Sequence, residues 1–401
     1  MDTIGWQLAL GSKPSGHGEA KSLTLDIIEP HPIFVAESAL VDLRERLNRI
    51  RWPDREPVGD WSQGSPLAKV QALCAYWRES YDWRRCEAML NGWGSCRTVI
   101  DGLGIHFLHI RSPEPDALPM ILTHGWPGSI IEFHKVIGPL TNPRAHGGDP
   151  ADAFHLVIPS IPGYGFSDKP ESTGWGIERI AGAWIELMRR LGYRRYVAQG
   201  GDWGAAITTQ IALARPPECA AVHLNMPVVE QRPSDDLSPM EQAAIDDLRR
   251  TFAEGAAYSQ QQATRPQTLG YGLADSPAGQ AAWIYEKLHA WTDNPGAAEQ
   301  LLSMDEMLDN IMLYWLPNAA TSSARLYWES LANGFIAREI EMPIGVSIFP
   351  KEMLRASRRW AEIYYHNIIH WNELDRGGHF AAFEQPKLFV SELRNCFRVI
   401  R

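Results

Sequence analysis

The stretch Val197-Ala-Gln-Gly-Gly-Asp-Trp-Gly-Ala-Ala206 constrains the fold of this chain more than any other segment. An apolar run ends in two glycines, a single acid follows, and a helical pattern begins directly after it. This order is typical of a nucleophile elbow, a strained strand-to-helix turn that holds one reactive side chain above a sheet. Gly200 and Gly204 flank the turn at points where a Cβ would clash. Asp202 stands at the reactive position, although a Gly-Gly-Asp turn without a catalytic role has the same sequence.

A carboxylate at this position restricts the chemistry. Asp202 is a poor nucleophile towards an amide or an ester, because the anhydride formed would be less stable than the group attacked. Towards a strained or activated sp³ carbon, it can displace a leaving group and form an alkyl ester. The residue therefore favours the opening of an epoxide or the displacement of a halide.

Composition excludes several classes of partner. The chain has 401 residues, enough for a large core and an accessory domain, and its formal net charge of −10 argues against nucleic acid or an anionic membrane surface. Five cysteines without a C-x-x-C pair favour a reduced, cytoplasmic protein without a disulfide framework or a zinc site. The N-terminus has no basic, apolar leader. The sequence has no run of about 18 apolar residues, so no membrane anchor is predicted.

Strands and helices alternate in the middle of the chain, from about residue 97 to residue 224. Short apolar runs separated by turns predict the strands, and longer runs with helical periodicity predict the crossovers between them. This alternation favours a mostly parallel sheet that is covered by helices. The predicted strands are Ile105–Ile110, Leu118–Thr123, Phe154–Pro159, Tyr196–Gln199 and Ala220–Leu224, and the predicted helices are Ile177–Leu191 and Trp203–Arg215.

Helical segments precede and interrupt this sheet. Residues 1 to about 35 are expected to form an extended arm, followed by helices over Glu37–Ile50 and Leu67–Tyr81. Residues 228–340 are helical and polar, with Ser238 as a candidate N-cap, and strands return at Ile344–Phe349 and again before Gly377. A helical insertion between two strands predicts a cap over the carboxyl ends of the strands, where ligands bind in open α/β folds. A last helix begins at Pro386.

These patterns divide the chain into four regions. Residues 1–95 form a helical N-terminal region, whose aromatic stretch around Trp77, Tyr81 and Trp83 is expected to be buried. Residues 96–227 form the first part of the core, residues 228–340 form the cap, and residues 341–401 complete the core. No internal repeat is found.

A nucleophile elbow predicts that an acid and then a histidine follow the nucleophile along the chain. Glu352 lies three residues after the predicted strand ending at Phe349, and His379 lies in a Gly-Gly-His-Phe loop near the C-terminus. His379 would take a proton from water, while Glu352 would fix its tautomer and stabilise the imidazolium. Water would then attack the ester and release Asp202. Other acids near these positions are Glu341, Glu362, Glu373 and Asp375, but only Glu352 directly follows a strand end.

Hydrolysis of an ester on Asp202 passes through an oxyanion, which needs hydrogen-bond donors. The backbone N–H of Trp203 is one candidate, and the backbone N–H of Trp126 in His124-Gly-Trp-Pro127 is the other. The same four residues are also consistent with a tight turn containing a cis Pro127, and the two interpretations are compatible.

The chain resembles the α/β-hydrolase-fold epoxide hydrolases of the microsomal type, including their soluble fungal and bacterial members. The resemblance begins at about residue 34, and its motifs are highly specific in combination. It implies an α/β-hydrolase fold with a mostly parallel central sheet, a helical cap insertion and a helical N-terminal extension. The motifs are Tyr76-Trp77, Tyr81-Asp-Trp-Arg84, Leu90-Asn91, Ile100-Asp-Gly-Leu-Gly-Ile-His-Phe107, His124-Gly-Trp-Pro-Gly-Ser129, Gly200-Gly-Asp-Trp-Gly204, Phe349-Pro-Lys-Glu352 and Gly378-His-Phe-Ala-Ala-Phe-Glu384.

The resemblance also implies roles for two cap tyrosines. Tyr258 and Tyr327 match the residues that protonate the epoxide oxygen in this family, and a phenol stays protonated near neutral pH. Small apolar epoxides would be converted to vicinal diols, with water as the second substrate and no cofactor. A role in detoxification or in the catabolism of aromatic hydrocarbons, and a homodimeric state, are further expectations. The chain lacks the N-terminal apolar anchor of the membrane-bound members, which favours a soluble enzyme.

Two alternatives share parts of this pattern. A haloalkane dehalogenase uses the same Asp–acid–His chemistry, but it holds halide with Trp or Asn N–H groups and carries an acid or amide after His-Gly, where this chain has Trp126. A catalytically idle relative commonly loses the nucleophile or the histidine, and Asp202 and His379 are both present.

Overall fold

The computed structural model describes residues 27–401. The arm expected over residues 1 to about 35 therefore lies mostly outside the described residues. Glu29–Pro30, the first described element, pairs antiparallel with a strand at Ser95–Ile100. Among the described residues, no helix is both long and apolar enough to cross a membrane.

The described residues form one nine-stranded sheet in the order β1-β2-β3-β5-β4-β6-β7-β8-β9. The pairs from β5 through β9 are parallel, and the pairs β1–β2, β2–β3 and β3–β5 are antiparallel. The mostly parallel sheet is confirmed. Its strands are β1 Glu29–Pro30, β2 Ser95–Ile100, β3 Leu103–Ile110, β4 Leu118–Thr123, β5 Phe154–Pro159, β6 Tyr196–Gly200, β7 Cys219–Leu224, β8 Ile344–Ile348 and β9 Ile368–Glu373.

Helices surround this sheet and supply the cap. Helices α5 and α6 pack on each other, α4 packs against α15, and helices α7 to α12 lie between β7 and β8 in the chain. The helices are α1 Glu37–Asn48, α2 Leu67–Glu79, α3 Trp83–Gly92, α4 His134–Thr141, α5 Ile177–Arg190, α6 Trp203–Ala214, α7 Pro239–Arg250, α8 Ala257–Thr264, α9 Pro266–Asp275, α10 Pro277–Trp291, α11 Met304–Trp315, α12 Ala320–Gly334, α13 Arg358–Ala361, α14 Ala381–Glu384 and α15 Pro386–Arg398.

Local sequence signals explain several of these boundaries. Ser238 caps α7 by accepting a hydrogen bond from the backbone N–H of Glu241, whose carboxylate bonds back to the Ser238 N–H, so the predicted N-cap is confirmed as a capping box. Helix α6 ends at Ala214 because Arg215 adopts a left-handed conformation with φ 51° ahead of two prolines. Helix α15 begins with Pro386, as expected.

Helix α3 and strand β2 are among the elements that the sequence patterns did not predict. Helix α3 starts after Asp82, whose side chain accepts a hydrogen bond from the Arg84 N–H, and it buries Trp83, Cys86 and Leu90. Strand β2 forms a hairpin with β3 through Asp101 and Gly102, both at positive φ. Helices α1, α2 and α3 form a layer that packs against cap helices α10 and α11, while β2 belongs to the central sheet.

The N-terminal layer is tied to cap helix α11 by polar and aromatic contacts. Trp77 and Trp83 are buried, as expected for the aromatic stretch, and the ring of Trp77 meets the ring of Trp315 edge-on. Tyr81 Oη donates a 2.7 Å hydrogen bond to Asp309 Oδ1, and the Arg85 guanidinium binds both oxygens of the same carboxylate. Asp309 is buried, so these contacts join the layer to the cap interior.

Candidate active site

The turn between β6 and α6 has the close packing that its glycines predict. Asp202 adopts φ 53° and ψ −129°, a backbone conformation that costs free energy for a residue with a side chain. A Cβ on Gly200 would lie 2.0 Å from the carbonyl oxygen of Gly204, and one on Gly204 would lie 1.9 Å from the carbonyl oxygen of Thr123. The glycines therefore let α6 cross close over β4 and β6, and the turn holds the Asp202 side chain above the carboxyl ends of these strands.

The Asp202 carboxylate is held by the loop that follows β4. The backbone N–H of Trp126 donates a 2.8 Å hydrogen bond to Asp202 Oδ1. Gly125 allows this approach, since a Cβ there would lie 2.1 Å from the same oxygen. Trp203 is the first residue of α6, so its N–H belongs to the helix-end donors that have no intrahelical acceptor. The Trp126–Pro127 peptide bond is cis, as considered from the sequence.

His379 lies between the two acids that the chain order selects. Its Nδ1 is 2.9 Å and 3.1 Å from the two carboxylate oxygens of Glu352, and its Nε2 is 3.5 Å from Asp202 Oδ2. A carboxylate can only accept at Nδ1, which places a proton there and leaves Nε2 facing Asp202. All three side chains are buried, so water from the bulk does not screen their charges.

The loops that carry Glu352 and His379 are joined directly. The backbone N–H of Lys351 donates to the carbonyl of Gly377 at 3.1 Å, and the N–H of His379 donates to the carbonyl of Trp291 in the cap at 2.9 Å. Gly377 has φ 105°, so a side chain there would strain the turn. The other candidate acids, Glu341, Glu362, Glu373 and Asp375, are exposed.

The charges of the two acids control the protonation of His379. Burial alone would lower the pKa of the His379 imidazole, but the neighbouring carboxylates of Glu352 and Asp202 raise this pKa well above its ordinary value. The two carboxylates therefore favour the imidazolium form of His379. Loss of the negative charge on Asp202, as in an ester, removes one of these causes and lowers the pKa.

Both cap tyrosines lie over the loop that binds Asp202. The Tyr258 ring stacks on the Trp126 ring at 5.0 Å between centroids, and the Tyr327 ring meets it edge-on at 5.8 Å. The two tyrosine rings are 5.9 Å apart. Trp291 adds a further wall, with its ring 5.3 Å from Tyr258 and 5.1 Å from His379. The cap thus covers the carboxylate with aromatic surface and two hydroxyl groups.

Both phenols remain neutral over a wide pH range. Burial, and then the charge of Asp202, raise the pKa of Tyr258 above its ordinary value, while a polar contact with Tyr327 acts in the opposite direction. Burial, followed by the neighbouring Tyr258 and Asp202, also raises the pKa of Tyr327 well above its usual range. A protonated phenol near an acid can donate to an oxygen that becomes negative during a reaction.

Comparison with known proteins gives the family of this chain. Residues 28–133 match the family model described as "Epoxide hydrolase N terminus", and residues 119–315 match the one described as "alpha/beta hydrolase fold". The chain is 59% identical over 376 residues to a protein of Stigmatella aurantiaca, covering 93% of this chain and 86% of that protein. It is 33% identical to epoxide hydrolase 1 of Oryctolagus cuniculus, covering 96% of this chain and 90% of the relative. The chain belongs to the epoxide hydrolase family.

Solved structures of the family agree with the fold. The juvenile hormone epoxide hydrolase from the silkworm Bombyx mori superposes with a TM-score of 0.85 at 31% identity, over 93% of this chain and 94% of that one. The Aspergillus niger epoxide hydrolase gives a TM-score of 0.84 at 30% identity, over 94% and 98%. The expected α/β-hydrolase fold and the resemblance to epoxide hydrolases are confirmed, and the chain is an enzyme of this hydrolase family.

The structure brings together every residue that the sequence singled out, namely Asp202, His379, Glu352, Tyr258, Tyr327, Trp126 and Trp203. Three neighbours were missed. Trp291 contacts His379 from the cap, Asn310 holds the loop after β4, and Glu132 lines the same small cavity as Asp202 and His379. The sequence gives no means of selecting one Trp among sixteen, whereas Glu132 lies five residues after Pro127, and this closeness to the His124-Gly-Trp-Pro127 motif is a signal for it.

Proposed function

We propose that this protein hydrolyses epoxides to vicinal diols in two steps, through an ester on Asp202. The observation that carries the proposal is the position of His379, whose two ring nitrogens face Glu352 and Asp202, while the Trp126 N–H holds the second oxygen of the nucleophile. An acid at the nucleophile position, in contact with a histidine, is suited to forming an alkyl ester and then hydrolysing it.

The first step opens the epoxide ring. Asp202 Oδ1 is engaged by the Trp126 N–H, so Oδ2 attacks the epoxide carbon and the C–O bond on that carbon breaks. The oxygen that leaves accepts a proton from Tyr258 or Tyr327, whose rings contact each other and the Trp126 ring. The His379 imidazolium then restores the tyrosine proton, because esterification of Asp202 lowers the pKa of His379.

The second step hydrolyses the ester. Neutral His379 takes a proton from water while the water oxygen bonds to the Asp202 carboxyl carbon, and the N–H groups of Trp126 and Trp203 stabilise the oxyanion. When the carbon–oxygen bond to the product breaks, the proton on His379 passes to the diol. The remaining acid proton returns to His379, which regenerates the carboxylate and the imidazolium. Glu352 orients the ring throughout.

Trapping of the ester tests this proposal. Asp202→Ala is expected to abolish diol formation from a simple epoxide while circular dichroism shows an intact fold. His379→Gln is expected to open the epoxide and then stop, so that mass spectrometry of a digest finds the epoxide mass added to Asp202. Diol formation by the Asp202→Ala variant, or epoxide consumption by the His379→Gln variant without an adduct, would contradict the covalent route.

The remaining expectations complete the proposal. We keep the division into residues 1–95, 96–227, 228–340 and 341–401, since the helices α7 to α12 lie between two strands of one sheet. The aromatic lining supports a small apolar epoxide as the substrate. A homodimer, a cytoplasmic location, and a role in detoxification or aromatic hydrocarbon catabolism remain predictions.

A further inference from the structure

A small cavity lies beside Asp202 and is lined by core residues. It measures about 20 Å³, and its walls include Asp202, His379, Glu132 and Asn225 but none of the residues of α7 to α12. The tyrosines and Trp291 do not line it, although Trp126, on which the Tyr258 ring stacks, does. Space of roughly 10–15 Å³ is enough for one ordered water if polar partners are present.

The walls of this cavity supply polar partners. Gln199 Nε2 donates a 2.9 Å hydrogen bond to Asn225 Oδ1, which fixes both amides. Gln199 Oε1 and Thr123 Oγ1 are buried, and no hydrogen-bond partner for either atom is found in residues 27–401. Both side chains are 1% exposed. Buried polar atoms cost free energy unless they are hydrogen-bonded, so these groups favour a bound water.

Glu132 is the acid of this cavity. The chain makes room for its carboxylate with Gly128, since a Cβ at that position would lie 1.3 Å from Glu132 Oε1. Within the described part of the chain, no ion pair of Glu132 with a basic side chain is found, and His379 is the basic group whose charge acts on it. Burial raises the pKa of Glu132 to about 8, with the charge of His379 lowering it and that of Asp202 raising it. Such a group can bond to water either as acceptor or as donor.

We propose that this cavity binds the water that attacks the ester, and that Glu132 is the residue that positions it. The inference rests on the proposed function. A water in the cavity lies next to both groups that the second step needs, the Asp202 carboxyl carbon and His379 Nε2, because both residues form its walls. The product part of the ester extends into the aromatic pocket under the cap. The water can therefore reach the carbon without passing the bound product, and its proton goes to His379 while its oxygen forms the new carbon–oxygen bond.

Pre-steady-state kinetics of Glu132 variants test this role. Glu132→Leu removes both polar atoms, and a displacement of the reacting water by about 1 Å can cost on the order of a hundredfold in rate. Ester hydrolysis is expected to slow by about that factor, and Glu132→Gln, which still bonds to water, to slow it by roughly tenfold. Alkylation of Asp202 should keep its wild-type rate. The turnover number and KM then fall together, so kcat/KM is unchanged.

Two further variants distinguish a role in positioning the water from a role in stabilising the fold. Thr123→Val keeps the shape of a second wall residue and removes its hydroxyl, so it is expected to slow ester hydrolysis by a smaller factor and to remain folded. Glu392→Gln is the control, because this buried acid contacts Ser347, His370 and Asn372 on another part of the sheet. It should lower the melting temperature without changing the ratio of the two rates.

The outcomes distinguish the water site from the chemistry on which it depends. Accumulation of the Asp202 ester in the Glu132 variants, with faster hydrolysis for Gln than for Leu, supports the site. Unchanged hydrolysis in the Glu132 and Thr123 variants, or slower alkylation with normal hydrolysis, overturns it. If the His379→Gln variant forms no ester at all, the covalent mechanism itself is wrong. If that ester forms while the Glu132 variants hydrolyse their ester at the wild-type rate, only the water site is wrong.

Discussion

Removal of the two phenol hydroxyls should stop ring opening and spare ester hydrolysis. Tyr258 and Tyr327 are the proposed proton donors, and their rings contact the Trp126 ring and lie 5.9 Å apart. Tyr327 is 3% exposed, so solvent cannot take over its role when the hydroxyl is lost. Removal of one donor aimed at a developing charge costs on the order of 3 kcal/mol, or roughly a hundredfold in rate.

Each single Tyr→Phe variant should therefore alkylate Asp202 roughly a hundredfold more slowly, because one phenol remains. The double variant should lose about twice this free energy, or on the order of ten thousandfold, since the alkoxide would form in a dry pocket without a proton source. Hydrolysis of the preformed ester should be nearly unchanged, because it depends on His379, Glu352 and backbone donors.

Stopped-flow and rapid-quench measurements resolve the two steps, with the ester followed by mass spectrometry. Tyr285→Phe is a matched control, because this buried cap tyrosine directs its hydroxyl to Glu299 and away from the site. It should leave both rates at their wild-type values. A double variant that alkylates Asp202 at close to the wild-type rate would refute the assignment of both tyrosines and reopen the dehalogenase interpretation.

Two further predictions concern the histidine and the N-terminal layer. Glu352→Gln removes a charge that raises the pKa of His379. Because ester hydrolysis needs the neutral imidazole, the acid limb of the pH profile of hydrolysis should move to lower pH, and the maximal rate should fall. An acid limb at the wild-type pH would show that Glu352 does not act on His379. Deletion of residues 1–95 should give insoluble protein, because Trp77 and Trp83 are buried in the layer and the cap surface that the layer covers would become exposed. A truncated protein that is soluble and active in an expression and activity assay would contradict this prediction.

The elements that could be predicted are those whose signals are local. The apolar runs of β4 and β5 are buried over their whole length apart from Pro119, and the capping box at Ser238 lies within four residues. Helix α3 was missed although Trp83, Cys86 and Leu90 have helical spacing after an Asp N-cap, so a signal was present. Strand β2 has no such pattern. Arg97 in its middle is half-buried and forms an ion pair with Asp168, which is distant in sequence.

The same distinction applies to the site. Asp202 and His379 lie in short motifs with a required order along the chain, and Glu352 lies shortly after the end of β8. Signals close in sequence therefore select all three residues. The choice of Tyr258 and Tyr327 among twelve tyrosines needed the family resemblance. Trp291 could not be found at all, because its relevance comes from a backbone contact between the cap and the His379 loop. Contacts between remote segments depend on tertiary packing, which single-sequence patterns do not encode.

The loop that carries the Trp126 N–H is held by cap helix α11, which is held in turn by the N-terminal layer. Asn310 in α11 donates a 2.7 Å hydrogen bond to the carbonyl of Pro127 and accepts one of 2.7 Å from Ser129 Oγ, so the cap holds this loop from above. The preceding residue, Asp309, is held in turn by Tyr81 and Arg85 of the layer. An oxyanion donor has to be fixed before charge develops, since its reorientation during the reaction would raise the barrier. The layer, which contributes none of the residues assigned to the chemistry, therefore stabilises the helix that holds the donor loop in place.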